Sequence, residues 1–329
     1  MSVRDIRVRS EGGIIVETPN GAELRFDPRT PGGSHTVLSH AHADHLPRES
    51  GSVICSPLTA RLAEHRRPNC CLRRAEHPTI ELLPAGHIAG SRAALVRGDR
   101  WSLLYTGDIC TRSRDYLEGF EAQSADVLII ETTYGRSEYA FPPIEETVRA
   151  AHEWLAAEPT RPAILFGYTL GKAQRILRLI TGDLDRRVMT TASIEEVNRL
   201  IAAELDVEFD TELYDHDKGL RDDDILVLPS QMIRTAWVER LIETTNARTA
   251  GFSGWALDRG YRFQRGVDRG FVLSDHCGFA ELASVVRHVD PDILYTCHGF
   301  MDAFARAMTR EGFETRSLRA NQRTFSDFV

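Results

Sequence analysis

Leu38-Ser39-His40-Ala41-His42-Ala43-Asp44-His45 decides how this chain is read. The stretch sets three histidines and an aspartate in the pattern H-x-H-x-D-H, directly after the apolar run Thr36-Val37-Leu38. All four side chains are of types that ligate divalent metals. Four such residues in six positions are too many for one ion on a rigid loop, so the spacing predicts two metals side by side. Paired metals a few ångströms apart are a device for hydrolysing phosphate esters and related bonds. A polar turn would be the bland alternative, but packing alone rarely gathers ligands so densely.

Outward from this motif, further ligand-type residues fall at predicted strand ends and turns. His87 lies in Ala85-Gly86-His87-Ile88-Ala89-Gly90-Ser91, and Asp108 in Tyr105-Thr106-Gly107-Asp108. Asp27 follows Leu24-Arg25-Phe26. His276 lies in Ser274-Asp275-His276-Cys277-Gly278, and His298 in Thr296-Cys297-His298-Gly299. Sites gather at the strand ends of α/β sheets, and flanking glycines let backbone approach a ligand closely. His35, His65, His77, His152, His216 and His288 lack such a context and are read as surface or core histidines.

The 329 residues are 42% hydrophobic, enough for two cores. No apolar run approaches the roughly 20 residues of a membrane span, and residues 1–6 carry no signal-type apolar segment. A soluble, cytoplasmic protein without a membrane partner is expected; the oligomeric state is not readable. The net charge of -8 argues against a broad nucleic-acid footprint, although a local basic groove suffices for an enzyme. The six cysteines, Cys55, Cys70, Cys71, Cys110, Cys277 and Cys297, form no C-x-x-C pair and read as reduced packing residues.

The first third alternates short apolar runs with Gly/Pro turns, which predicts strands at 13–16, 22–26, 36–38, 52–55, 93–96 and 101–105. Ser56-Pro57 predicts a helix start, with Ser as cap and Pro in the first turn. A further strand is expected at 127–130 and a helix from Phe141-Pro142-Pro143 to about Ala157. Strand and helix then alternate: 163–166 before a helix from Gly171, 187–190 before one from Ser193, 225–228 before one near Met232. That alternation implies a parallel sheet with covering helices. Strand, histidine motif and helix resume from Phe271. The reading is one α/β domain interrupted by a second.

The combination resembles the metallo-β-lactamase superfamily, whose signature is the H-x-H-x-D-H of residues 40–45, with Gly86-His87 and Gly107-Asp108 in the expected order. Redox di-iron members of that fold carry an acid at the second histidine of the motif; His42 stands here, so the resemblance points to hydrolysis. Glu131-Thr132-Thr133-Tyr134-Gly135, His276 and His298 resemble the three additional motifs of the β-CASP branch, whose characterised members are nucleases. The stretches 166–175 and 265–276 resemble the ligase-associated DNA exonuclease group, with archaeal mRNA 3′-end processing factors as similar relatives.

The resemblance implies a metallo-β-lactamase αββα sandwich at 1–138 and 271–329 with a β-CASP α/β domain inserted at 139–270. It implies two Zn2+ ions, with Mn2+ as the alternative metal. One zinc would take His40, His42, His87 and Asp108; the other would take Asp44, His45, Asp108 and His298. Asp27 would orient a ligand histidine. His276 would protonate the leaving oxygen, with Glu131 holding that imidazole.

Three residues are candidates for substrate contact. Lys172 and Lys218 are the only lysines among 40 basic residues, and Lys172 follows a glycine near a helix start. It is read as a phosphate ligand, with a solvated helix start as the alternative. Ser253-Gly254-Trp255 can offer backbone amides and a stacking ring to a nucleotide, or simply a buried tryptophan.

The expected activity is a di-zinc nuclease hydrolysing phosphodiester bonds of single-stranded nucleic acid from an end. DNA is favoured by the ligase-associated resemblance. RNA exonuclease or endonuclease action in mRNA 3′-end processing or decay is the alternative. A DNA ligase or other repair or processing protein is the implied partner. A small-molecule hydrolase would need neither the inserted domain nor His276, and an inactive nucleic-acid scaffold would lose ligands that this chain keeps.

Overall fold

A computed structural model describes residues 5–180 and 186–319; the reading made of the first four residues lies outside them. The chain divides into two compact units, Met1–Ala140 with His276–Val329, and Phe141–Asp275.

The first unit holds two six-stranded sheets, with strands numbered in chain order. One sheet runs β1 (Arg7–Ser10), β2 (Ile14–Glu17), β3 (Glu23–Phe26), β4 (His35–Val37), β5 (Gly51–Ile54) and β6 (Leu72–Ala75). It is antiparallel from β1 to β3 and parallel from β3 onward. The crossover between β5 and β6 is helix α1 (Pro57–Arg66). Ser56 caps it by accepting from Thr59 N at 3.0 Å, and Pro57 sits in the first turn, where its missing N–H costs nothing.

The other sheet contains β7 (Ile80–Pro84), β8 (Arg92–Arg97), β9 (Ser102–Tyr105) and β10 (Val127–Glu131), followed beyond the second unit by β17 (Ile293–Cys297) and β18 (Thr315–Ser317). Alternation along its strands divides the core. Leu103, Tyr105, Val127 and Ile129 face Phe26, Val37 and Ile54 of the first sheet. Leu104, Leu128 and Ile130 point the other way, onto Leu282 and Val286 of α7 (Phe279–Val289) and Phe304 of α8 (Met301–Arg310). Strands buried on both faces carry continuous apolar runs, which explains Val127-Leu128-Ile129-Ile130.

The second unit is built on one all-parallel sheet of β11 (Ala163–Gly167), β12 (Val188–Thr190), β13 (Glu212–Leu213), β14 (Ile225–Pro229), β15 (Arg248–Ser253) and β16 (Arg269–Val272). Their spatial order is β13-β12-β14-β11-β15-β16. The helices are α2 (Ile144–Ala157), α3 (Lys172–Ile180), α4 (Ala192–Ala202), α5 (Ala236–Thr245) and α6 (Tyr261–Arg265). Leu165 and Val227 pack with Ile176 on one face; Phe166, Leu226 and Leu228 pack with Val238 on the other.

The boundary lies at Asp275 rather than 270. β16 extends the parallel ladder, with Phe252 opposite Phe271 and Ser253 opposite Val272, so residues 271–275 belong to the second unit. Among the described residues no helix is long and apolar enough to cross a membrane.

All six cysteines are free, and only Cys71 is exposed. Burial pushes the Cys55 thiol up to about 12 and those of Cys277 and Cys297 well above the ordinary thiol range. A buried thiol with little thiolate is slow to alkylate. Iodoacetamide labelling of the native protein at pH 8 is expected to modify Cys71 first, with the buried thiols reacting only in denaturant, as peptide mass mapping would read.

Candidate metal centre

Three turns of the first unit bring imidazoles and a carboxylate together. His40 and His42 follow β4, His87 follows β7, and Asp108 follows β9. His42 Nδ1 stands 3.1 Å from both His40 Nε2 and His87 Nε2. Asp108 Oδ2 lies 3.5 Å from His40 Nε2 and 3.6 Å from His87 Nε2. A tetrahedral zinc with Zn–N near 2.0–2.1 Å sets its ligand atoms about 3.3–3.4 Å apart. The donor set therefore fits a divalent cation, both in chemistry and in spacing.

The backbone makes this convergence possible at one position above others. Gly86 has φ +68°, and a Cβ there would meet the carbonyl oxygen of Cys110 at 2.1 Å. No side chain can replace that hydrogen without moving the turn that carries His87. Arg114 donates to the carbonyls of Gly86 and His87 and holds the same turn from outside.

Asp27 organises the other side. Its Oδ1 accepts from Ser39 N at 2.6 Å. Its Oδ2 accepts from Ser39 Oγ at 2.5 Å, His45 Nδ1 at 2.7 Å and Tyr105 OH at 2.8 Å. Ser39 Oγ in turn accepts from His40 Nδ1 at 2.9 Å. Both imidazoles are thereby held in the tautomer that presents Nε2 forward. His45 Nε2 faces Asp108 Oδ2 at 3.7 Å. Burial lowers the His45 pKa, but the Asp108 and Asp27 carboxylates outweigh it and raise it to about 10.

Asp44 and His298 sit at the rim of the His45 side. Asp44 Oδ2 is 3.8 Å from His45 Nε2, and its side chain is 76% exposed. His298 is exposed, has φ +58°, and places its ring centroid 5.3 Å from that of His45. Neither joins the tight ligand clusters found among the described residues, which are His40 with His42, His87 and Asp108; Asp27 with His40 and His45; and Asp108 with Glu131 and His276.

Glu131 ends β10, fully buried, and its Oε1 accepts from His276 Nδ1 at 2.9 Å. Thr133 N donates to Oε2 at 2.9 Å and Ile109 N to Oε1 at 3.2 Å. Burial works against its charge, yet facing His276 and the Thr133 bonds hold its carboxyl below the usual range. The His276 ring lies 4.4 Å from that of His87.

Lys172 fits neither of its expected roles. It is 4% exposed. Its Nζ donates to Leu273 O at 2.6 Å and pairs with Asp275 Oδ2 at 2.7 Å, while Arg175 pairs with Asp275 Oδ1 at 2.8 Å. The lysine secures the stretch after β16 from within the second unit. Ser253 accepts from Trp255 N at 3.2 Å and caps a short 3₁₀ turn, and the Trp255 ring is half-buried against the sheet core. Ser39 and Tyr105 were not singled out by sequence. A serine beside a metal motif and a tyrosine at an inward strand position carry no distinguishing pattern.

No known family profile matches the chain. A protein named Probable DNA ligase from Opitutus terrae is 32% identical over 303 residues, 86% of this chain and 28% of that one. The 5′ exonuclease Apollo of Gallus gallus is 30% identical over 184 residues, 51% of this chain and 40% of that one. A ribonuclease of Thermus thermophilus is 26% identical over 205 residues, 50% of this chain and 46% of that one. The chain thus spans less than half the length of these curated relatives. A crystal structure of a protein of unknown function from Enterococcus faecalis V583 matches with TM-score 0.66 over 97% of this chain and 98% of that one, at 14% identity, a likeness of fold alone. The two share a mixed α/β architecture. The named relatives thus include an exonuclease and a ribonuclease.

Two substitutions separate the roles described. Asp27→Asn removes the acceptor that orients His40 and His45, and metal affinity is expected to fall about 10–100-fold by chelator competition. Lys172→Ala leaves Asp275 with Arg175 as its remaining partner, and chemical denaturation is expected to show a loss of about 1–3 kcal/mol.

Proposed function

We propose that the chain is a metal-dependent nuclease that hydrolyses phosphodiester bonds of single-stranded nucleic acid from an end, with DNA favoured over RNA. The observation that carries this reading is the convergence of His40, His42, His87 and Asp108 beside an imidazole, His276, held by a buried carboxylate. The names of the Opitutus and Gallus relatives support DNA and exonuclease action; the Thermus name supports RNA as the second reading. The first unit would be the metallo-β-lactamase domain and the second the β-CASP domain. A DNA ligase would be the natural neighbour in repair.

Two zinc ions are proposed. His40, His42, His87 and Asp108 would hold one, and Asp44, His45, Asp108 and His298 the other, with manganese as the alternative metal. When bound, such a pair supplies Lewis acidity at the phosphodiester and makes water at the site more acidic. The protein's own contribution is proton handling and orientation. Glu131 accepts the hydrogen bond of His276 Nδ1–H, which leaves Nε2 to carry the proton that the departing oxygen requires. Glu131 stays ionised, so a carboxylate faces the His276 imidazole. Asp27, through Ser39 and His45, keeps two imidazoles turned toward the metals.

Digestion of 5′- and 3′-labelled single strands of DNA and RNA tests the reading. The zinc- or manganese-loaded protein is expected to shorten DNA from one end, with activity lost on chelation and in His42→Ala. Cleavage of neither polymer would sink the proposal. His276→Ala is expected to retain its metal content and lose about 10²–10⁴-fold in kcat, the usual range for removing a general acid.

A further inference from the structure

Residues outside the metal centre make a second place for a nucleic-acid strand. In the second unit, β11, β14 and β15 lie side by side, and their C-terminal edge borders a shallow recess. That edge is where parallel α/β sheets take ligands. Phe166 and Tyr168 line the recess from β11 and its following turn, Ser230 from the end of β14, Ser253 from the end of β15, and Tyr261 and Arg265 from α6.

The recess is shaped by two glycines. Gly251 and Gly270 are paired opposite each other in β15 and β16. A Cβ on Gly251 would meet Tyr261 OH at 2.8 Å, and one on Gly270 would meet Tyr261 Cδ1 at 2.8 Å. The pair clears the sheet surface for the Tyr261 ring. Anchoring that ring turns the rest of α6 outward, with Arg262, Phe263 and Arg265 all exposed.

Three properties coincide at this edge. Tyr168 is 51% exposed and Phe263 is 73% exposed, two large aromatic side chains left in water. Residues 259–269 carry four arginines and one aspartate in a protein whose net charge is -8. Among the described residues, Arg259, Arg262 and Arg265 form no ion pair with a carboxylate; Arg262 instead lies 4.4 Å over the Phe263 ring. One exposed aromatic is ordinary on a protein surface. Exposed rings, unpaired guanidinium groups and a concave floor with hydroxyls together match a planar base joined to phosphate.

We propose that this recess and its arginine rim bind a nucleotide of the single-stranded substrate. Tyr168 stacks on the base, the Ser230 and Ser253 hydroxyls face its polar edge, and Arg262 and Arg265 take the backbone phosphates. The ligand's identity rests on the nuclease reading; the assignment of its seat rests on the second unit's own geometry. Single strands are favoured, because a base can stack on a side chain only when it is not paired.

Fluorescence anisotropy of the full chain in chelator, with a 5′-labelled oligothymidylate, tests the seat apart from catalysis; an oligouridylate reads sugar preference. Tyr168→Ala and the double variant Arg262→Glu/Arg265→Glu are each expected to raise Kd about tenfold or more, and the double variant to flatten the salt dependence. Hydrolysis of bis-p-nitrophenyl phosphate by the metal-loaded variants is expected to stay within about twofold of wild type, since a small diester has no strand to seat on these side chains. Wild-type Kd values in both variants, or a wild type that binds neither strand, would overturn the proposal. If the strand binds through these residues but no diester is cut, the nuclease reading fails and the seat stands.

Discussion

One buried carboxylate, Asp27, holds the metal centre and the surrounding core to a single geometry. Four donors converge on its two oxygens, from Ser39 backbone and hydroxyl, His45 and Tyr105. Those donors come from the segment after β4 and from β9, so the residue ties the two sheets of its unit together at the site. Asp27 itself has a left-handed φ of +46°. Tyr105 also packs against Phe26, with ring centroids 4.7 Å apart in the core between the sheets. Ligand orientation and sheet packing are therefore one problem here. Loss of this acceptor would strand several buried donors, each carrying a desolvation penalty of about 1–3 kcal/mol.

What the sequence makes legible follows from what it must place close together. A metal loop needs several donors within a few residues, so His40, His42, Asp44 and His45 stand out, and the glycines before His87 and Asp108 mark turns that approach a ligand. Residues that work through a hydrogen bond to another side chain leave no such pattern, which is why Ser39 and Tyr105 escape notice. Lys172 misleads for a related reason. Its rarity and its position after a glycine suggest an anion, but its partner Asp275 lies beyond five intervening strands of sequence, and no local signal announces it.

The same logic divides the strands. Central strands such as Val127-Leu128-Ile129-Ile130 and Ala163-Ile164-Leu165-Phe166 are buried on both faces and read directly. Edge and near-edge strands do not. β1 is Arg7-Val8-Arg9-Ser10, β6 is Leu72-Arg73-Arg74-Ala75, and β18 is Thr315-Arg316-Ser317. Arginines on an edge discourage pairing with other chains, and the feature that protects the sheet also hides the strand from an apolar pattern. Net charge is equally blunt, since a total of -8 conceals four arginines within 259–269.

The interrupted connectivity also orders events during synthesis. β10 pairs in parallel with β17, Val127 opposite Ile293, while everything between Phe141 and Asp275 builds the other unit. On a ribosome the intervening unit emerges whole while β10 still lacks its neighbour. His276 and His298 arrive only afterwards. An open strand edge must then wait, in a nascent chain, for a partner made late, and long-range parallel pairing is intrinsically slow to form. The chain is thus exposed to aggregation until β17 is translated and the edge of β10 is covered.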